Sequence, residues 1–159
     1  MDSFDIVVKV KTYTLDECRE NDRRLIEYAK EATKAAYAPY SGFKVGAAVL
    51  LENGIITTGT NQENAAYPSG LCAERVALFH TNSQYPDIPV EAIAVVAHNE
   101  NEFTNDICTP CGSCRQVLAE VESRYGKSIR ILMCGKNQIY EVSSIKYLLP
   151  LSFGNDMLK

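Results

Sequence analysis

Three cysteines stand where two separate helices are predicted to begin. Cys72 lies near the start of a helix predicted over residues 71–83. Cys111 and Cys114 lie at the start of another helix, which Pro110 opens because proline suits the first helical position. Helix N-termini carry partial positive charge and free N–H groups, which together stabilise thiolates. A fold that brings these two helix starts together therefore creates a site for a metal ion that prefers sulfur.

The number and spacing of these cysteines fit a zinc ion. Zinc binds thiolates at about 2.3 Å, and a catalytic zinc keeps three protein ligands and leaves its fourth position to water. Cys111 and Cys114 are three residues apart, which places both on one face of the first helical turn. Cys72, Cys111 and Cys114 are therefore predicted to hold one Zn²⁺ per chain, with the fourth position open.

Two charged residues follow the first of these cysteines. A carboxylate beside a zinc ligand can take a proton from water and return it to a substrate. Glu74 is therefore the predicted catalytic residue. Arg75 is predicted to donate hydrogen bonds to the thiolate sulfurs, although the spacing fits a surface arginine equally well.

Other interpretations of the cysteine pattern stay open at this level. The segment CGSC at a helix start is also typical of a redox-active pair. Cys108 extends the pattern to C-x₂-C-x₂-C, but a ferredoxin site needs a further cysteine where Leu118 stands. Cys108 could instead act as a fourth ligand and close a structural zinc site. A third cysteine beside Glu74 favours the catalytic zinc site over the redox pair.

The charge of the chain limits its partners. The 159 residues carry a net charge of −4, without a block of lysine and arginine. Proteins that grip phosphate backbones normally show a basic stripe, so no nucleic-acid polymer is expected as a partner. No apolar run approaches the roughly 18 residues of a membrane span, so no membrane partner is expected. The first residues do not resemble a signal peptide, and cytoplasmic localisation with reduced thiols is predicted.

Hydrophobic periodicity predicts an α/β domain. Apolar runs on both sides of Asn53 and Gly54 predict a tight hairpin. Apolar segments such as residues 90–98 predict buried strands, and helices between strands imply a sheet covered on both faces. Residues 21–159 are predicted to form the catalytic domain. Residues 1–20, whose apolar side chains partly alternate, are predicted to form an N-terminal arm or strand extension.

Longer motifs resemble a known family. CAER followed by PCGSCR is similar to the zinc motifs of the small cytidine deaminases that act on free nucleosides. The resemblance continues in AYAPYSGFKVGAAVL (36–50), GTNQENAAY (59–67) and LLPLSFG (148–154), and it covers roughly residues 23–155. It implies a three-layer α/β/α sandwich with a five-stranded mixed sheet, and a homotetrameric assembly.

The resemblance also implies substrate-binding residues. In this family the asparagine and glutamate of the N-x-E-N-A motif bind the ribose, and they correspond to Asn61 and Glu63. The phenylalanine after PYS stacks near the nucleoside and corresponds to Phe43. The alanine between cysteine and glutamate lends backbone groups to the pyrimidine and corresponds to Ala73.

Two further residues are implied at subunit boundaries. The phenylalanine near the C-terminus of the family reaches a neighbouring subunit's site, and Phe153 corresponds to it. Tyr67 is likewise predicted to lie near a subunit boundary.

The implied reaction is hydrolytic deamination of cytidine and deoxycytidine to uridine and deoxyuridine in pyrimidine salvage, with a nucleoside as the small-molecule substrate. A deaminase of a cytosine-containing antibiotic such as blasticidin S would share the zinc site, but the complete ribose motif argues against it. A non-catalytic zinc-binding module and a redox protein are the rivals from other classes. A polynucleotide editor is disfavoured by the acidic charge.

Overall fold

The computed structural model describes residues 1–99 and 101–158. In these residues the apolar segments form a six-stranded sheet, and the amphipathic segments form three α-helices. The strands are β1 (Lys11–Tyr13), β2 (Lys44–Leu51), β3 (Ile56–Thr60), β4 (Val90–His98), β5 (Arg130–Cys134) and β6 (Ile139–Val142). The helices are α1 (Glu20–Ala32), α2 (Ala73–Gln84) and α3 (Gly112–Tyr125). Within these two ranges, no helix combines the length and apolar character needed to cross a membrane.

The sheet is mixed and has helices on both faces, as predicted. Its strand order is β1-β6-β5-β4-β2-β3, and β4 and β5 run parallel while the other neighbours run antiparallel. One core cluster joins α1 to the sheet and includes Leu25, Ile26, Ala48 and Ala94. The opposite cluster joins α2 and α3 to the sheet and includes Val49, Leu78, Ile93 and Leu118. The three-layer α/β/α architecture is therefore confirmed.

Alternation along each central strand supplies both cores. Ala48 and Val49 are adjacent in β2 and fully buried, yet they belong to opposite clusters because successive strand side chains point to opposite faces. Each fully buried leucine or isoleucine side chain stabilises such a core by about 1.5–3 kcal/mol. Apolar packing on both faces therefore holds α1 on one side of the sheet and α2 and α3 on the other.

Two glycines let the helices approach the sheet closely. A Cβ atom on Gly46 would lie 2.1 Å from the carbonyl oxygen of Ala29, so α1 could not pack there against any larger residue. A Cβ atom on Gly59 would lie 2.3 Å from the backbone nitrogen of Ala77 and would push α2 away from β3. The close contact at Gly59 holds the first turns of α2 directly against the sheet.

The sheet has one strand more than the five predicted. The additional strand is β1, which pairs antiparallel with β6 in the register Lys11–Glu141 to Tyr13–Ile139. The Tyr13 hydroxyl donates to the Glu141 carboxylate at 2.6 Å, and Lys11 lies 3.7 Å from the same carboxylate. The predicted arm therefore contributes a short edge strand, which these polar contacts hold in place.

The helices that carry the cysteines begin slightly later than predicted. Cys72 keeps an extended backbone (φ −73°, ψ 153°) and is the N-cap of α2. Cys111 is likewise extended (φ −68°, ψ 169°) and is the N-cap of α3, so Pro110 precedes the helix instead of opening it. Cys114 lies in the first turn of α3. The cysteines still stand at two helix starts, which was the essential expectation.

Single 3-10 turns occur at two further places. Helix α1 ends at Ala32 and continues as a 3-10 turn over Thr33–Ala35. Another 3-10 turn, Ile145–Tyr147, follows β6, and its N-cap Ser144 accepts a hydrogen bond from the Lys146 amide.

Candidate metal centre and substrate cavity

The packing of α2 and α3 on one face of the sheet brings three sulfur atoms together. The Sγ atoms of Cys72 and Cys111 lie 3.7 Å apart, and those of Cys111 and Cys114 lie 3.5 Å apart. All three lie within 4.8 Å of one another. Two helix N-termini thus meet at one cluster of thiols, where their partial positive charges favour thiolates.

The geometry of this cluster fits a zinc ion. Thiolates bound tetrahedrally at about 2.3 Å lie about 3.8 Å from one another, close to the separations found here. Cys114 is buried, Cys72 is partly buried and Cys111 is exposed, so the cluster opens to one side. The buried Nε atom of Arg75 has no hydrogen-bond partner among the described residues, as expected for a donor that would face a metal-bound thiolate. The residues present fit one Zn²⁺ per chain.

Hydrogen bonds among the three thiols change the pKa values of Cys72 and Cys114. The pKa of the Cys72 thiol is lowered to about 5, first by the hydrogen bond from Cys114, against the opposing effect of burial. Hydrogen bonds from Cys111 and Arg75 and the positive charge of Arg75 lower it further. The pKa of Cys114 is raised in turn because its proton is held by Cys72. The positive charge of Arg75 therefore lies close enough to Cys72 to favour its thiolate form.

Glu74 lies at the floor of a cavity beside this cluster. Only 4% of its surface is exposed, and it lines a cavity of about 660 Å³ together with Cys72 and Cys111. Burial, followed by the nearby Cys72 charge, raises the pKa of the Glu74 carboxyl above its ordinary value. A buried carboxyl with a raised pKa can accept a proton and return it.

The cavity has the size of a small-molecule site, and most of the predicted substrate-binding residues line it. These are Phe43, Asn61, Glu63 and Ala73, with Tyr67 at the margin. Tyr67 is 79% exposed and forms an edge-to-face contact with Tyr40, their ring centroids 6.3 Å apart.

Asn61 and Glu63 also hold the cavity wall. The Asn61 side chain accepts from the Val45 amide and donates to the Phe43 carbonyl, both at 2.8 Å. The Glu63 carboxylate accepts from the Tyr40 amide at 2.9 Å and from the amide and hydroxyl of Ser41. These bonds, from the Ser41 hydroxyl first, lower the pKa of Glu63, which therefore carries its charge at neutral pH. Both residues fix the loop that presents Phe43.

Cys108 lies outside the sulfur cluster, and Phe153 lies outside this cavity. Cys108 lines the cavity, but among the described residues the metal-ligand cluster contains only Cys72, Cys111 and Cys114. Burial raises the pKa of Cys108 to about 12, so its thiol stays neutral. Phe153 does not line this chain's cavity; it is 57% exposed, and its carbonyl accepts a hydrogen bond from the Gln116 side chain at 2.9 Å.

Two residues of the site were not singled out from the sequence. Ser41 is the hydroxyl donor to Glu63 and also accepts from the Phe43 amide at 3.0 Å. Arg115 donates to the Pro110 carbonyl at 2.9 Å and to the Leu148 carbonyl at 2.8 Å, which fixes the chain just before Cys111. The signal for Arg115 was its position directly after Cys114; for Ser41 the sequence offered only its place in the loop before Phe43.

The fold and the site together define a three-layer α/β protein with a three-cysteine zinc centre and a buried glutamate beside it. Comparison with known proteins agrees. Residues 19–127 match the family described as the cytidine and deoxycytidylate deaminase zinc-binding region. The chain therefore belongs to this deaminase family.

Individual relatives cover most of the chain. A cytidine deaminase of Sporosarcina psychrophila is 39% identical over 135 residues, which are 85% of this chain and 93% of the relative. A cytidine deaminase of Halalkalibacterium halodurans is 47% identical over 97 residues, 61% of this chain and 69% of the relative. The crystal structure of the cytidine deaminase from Burkholderia pseudomallei superposes with a TM-score of 0.71 at 38% identity, covering 82% of this chain and 97% of that structure.

Proposed function

We propose that this protein catalyses the hydrolytic deamination of cytidine and deoxycytidine to uridine and deoxyuridine, as a zinc-dependent hydrolase of pyrimidine salvage. The observation that carries the proposal is the cluster of three sulfur atoms within 4.8 Å of one another, next to buried Glu74 and beside a cavity large enough for a nucleoside. The relatives named cytidine deaminase support the same reaction.

The chemistry assigns Cys72, Cys111 and Cys114 as metal ligands and Glu74 as the catalytic residue. Zinc bound there would supply Lewis-acid activation of water by lowering its pKa toward neutrality. Glu74 accepts the proton that the attacking water releases and delivers it to N3 of the pyrimidine ring. It then takes the proton of the new C4 hydroxyl and transfers it to the amino group, so that the C4–N bond breaks, ammonia leaves and C4 becomes a carbonyl. The raised pKa of Glu74 suits a group that must both accept and donate.

The cavity wall would hold the nucleoside in place. Asn61 and Glu63 are proposed to bind the ribose, Phe43 to stack beside the substrate, and the backbone at Ala73 to contact the pyrimidine. The location of all four in the wall of one cavity with Glu74 supports this assignment. Binding of the sugar, which does not react, would orient C4 toward the activated water. Arg75 is proposed to stabilise the sulfur cluster through its buried Nε.

We further propose that the protein assembles as a homotetramer. Phe153 is exposed and outside this chain's own cavity, as required of a residue that completes a neighbouring subunit's site. Tyr67 is exposed at the cavity margin, where a neighbour could cover it. Light scattering on the purified protein tests this assembly, and a monomer at micromolar concentration would contradict it.

The division of the chain and its compartment are also proposals. Residues 1–20 are proposed to be an N-terminal arm and residues 21–159 the catalytic domain, which agrees with a family match that begins at residue 19. A cytoplasmic location is proposed because three free thiols must stay reduced to bind zinc. Fractionation of cells that produce the protein tests this location.

The function is tested by adding cytidine to the purified protein and following the loss of its ultraviolet absorbance, with a zinc count on the same sample. We expect turnover and about one zinc per chain. Zinc without turnover of cytidine or deoxycytidine would overturn the substrate assignment, and a panel with cytosine-containing antibiotics would follow. A folded protein with neither zinc nor turnover would overturn the metal site.

A further inference from the structure

The first ten residues form a segment that the proposed function does not use. They precede β1 and lie outside residues 19–127, which match the family. All ten are exposed, including the apolar side chains of Phe4, Ile6, Val7, Val8 and Val10. β1, which follows them, is an edge strand of the sheet and presents unpaired N–H and C=O groups on its outer side. An exposed apolar segment leading into an open edge is a template for pairing with another chain.

The sequence of this segment is complementary to itself in the antiparallel direction. When two copies are aligned about a two-fold axis at Val7, Asp5 lies opposite the partner's Lys9, and the same pair occurs twice. In this register Ile6 lies opposite the partner's Val8, and Phe4 lies opposite the partner's Val10. Opposite charges and apolar pairs directly across from each other stabilise antiparallel strands.

The register is set by the charges. A shift by one residue in either direction places Asp5 opposite a valine and Lys9 opposite Phe4 or Ile6, so both charge pairs are lost. Within the described residues, neither Asp5 nor Lys9 takes part in an ion pair of its own chain. Both charges are therefore available to a partner.

We propose that residues 3–11 of two copies of this chain pair as antiparallel strands about a two-fold axis at Val7. The pairing places Lys11, the first residue of each β1, opposite the partner's Ser3 and brings the exposed apolar side chains of the two segments side by side. A second copy is the occupant because a two-fold contact uses the same segment on both sides, and this segment matches its own charge pattern. The contact is separate from the zinc centre and does not depend on the deaminase reaction.

A cysteine cross-link tests the register directly. Val7→Cys places two thiols opposite each other on the axis, within the Cα separation that a disulfide can bridge. Val8→Cys is the matched control, because its two thiols lie on a diagonal about 7–8 Å apart. We expect mild oxidation to give a covalent dimer with Val7→Cys well above the level of Val8→Cys and of the unmodified protein. Equal cross-linking of the two variants would overturn the proposed axis.

Exchanging the charges of Asp5 and Lys9 tests whether the partner is a second copy of this chain. Asp5→Lys and Lys9→Asp each place like charges across both pairs, and each is expected to raise the dissociation constant of the arm contact about tenfold. An equimolar mixture of the two variants restores opposite charges at both positions, so association is expected to recover. Sedimentation across a range of concentrations measures all three samples. The proposal is overturned if either single variant associates as well as the unmodified protein, or if the mixture does not recover.

Discussion

Glu74 combines burial with a position beside three metal-ligating sulfurs. Only 4% of its surface is exposed, and burial raises the pKa of its carboxyl above the ordinary value, as suits a group that exchanges a proton with a substrate. Glu74→Gln keeps the size of the side chain and removes its ability to transfer protons. We expect turnover of cytidine to fall by about 100- to 10,000-fold, with zinc content unchanged. Zinc analysis and steady-state kinetics on the same sample check this, and a nearly active variant would refute the proton-shuttle role.

Glu63 is expected to affect substrate binding more than turnover. Its carboxylate holds the backbone of Tyr40 and Ser41 and the Ser41 hydroxyl, and it lines the same cavity as Phe43. Glu63→Gln weakens these charge-assisted hydrogen bonds and any bond to the sugar. We expect KM to rise about tenfold or more, with kcat changed much less.

Ser41→Ala separates the two roles of Glu63. This variant removes one bond that fixes the loop and leaves the carboxylate free to bind a sugar hydroxyl. If Glu63 acts partly through the loop, Ser41→Ala should reproduce part of the KM increase. An unchanged KM in Ser41→Ala beside a raised KM in Glu63→Gln would show that direct contact with the sugar accounts for the whole effect.

These residues also show what a sequence can reveal about a site. The sulfur cluster and the place of Glu74 beside it were predictable because each residue lies in a short motif at a helix start, where spacing and helix geometry determine position. The bond between Ser41 and Glu63 joins residues 22 apart in different loops, and no local pattern encodes it. Phe153 was assigned to a neighbouring subunit's site from the resemblance alone, and that assignment stays a prediction, since Phe153 does not line this chain's own cavity.

The short strand β1 is fastened by a bond between tyrosine and a buried carboxylate. Tyr13 donates to Glu141 at 2.6 Å, and Glu141 is only 4% exposed. Tyr13→Phe removes the donor and leaves the carboxylate with weaker contacts, to Lys11 and Arg130, each at 3.7 Å. We expect the free energy of unfolding at neutral pH to fall by about 1–2 kcal/mol, measured by urea denaturation.

The same bond predicts a response to alkaline pH. Burial, followed by the hydrogen bond to Glu141 and its charge, raises the pKa of Tyr13 above its ordinary value of 10.0. When the pKa of a group is higher in the folded protein than in the unfolded chain, the group contributes its full stabilisation below the pKa of the unfolded chain. This contribution is lost as the pH rises through the pKa of the folded protein. The stability difference between the protein and Tyr13→Phe should therefore be constant below pH 10 and shrink above it. A difference that widened above pH 10 would contradict this assignment.

Secondary structure was predictable where contacts are local and less so where they are distant. The periodic helices and the hairpin around Gly54, whose φ of 83° suits glycine, follow from short-range patterns. The strand β1 pairs with β6 across most of the chain, and only three residues carry that ladder. The apolar alternation that predicts a strand extension precedes β1, in residues 6–10, which form no strand here. The partner that makes Lys11–Tyr13 a strand lies near the other end of the sequence.

At the scale of the molecule, the metal site links the N-termini of two helices that pack on the same face of the sheet. Cys72 caps α2, while Cys111 and Cys114 stand at the start of α3, so a bound zinc ion would tie both helices together. A ligand that binds only the folded state adds its binding energy to stability. A ligand present at about a thousand times its dissociation constant stabilises the folded state by about 4 kcal/mol. We therefore expect removal of zinc by a chelator to lower the free energy of unfolding by at least this amount. Thermal unfolding should then shift downward by about 8–16 °C.

Matched cysteine variants show whether this stabilisation comes from the proposed cluster. Cys111→Ser removes one ligand, so its unfolding temperature should barely respond to chelator. Cys18→Ser removes a thiol that packs against the opposite core, on the α1 side of the sheet, and it should respond as the unmodified protein does. Added zinc should reverse the effect of the chelator in Cys18→Ser but not in Cys111→Ser. If both variants responded equally, the stabilising metal would lie elsewhere, because loss of a true ligand must weaken the coupling between metal binding and folding.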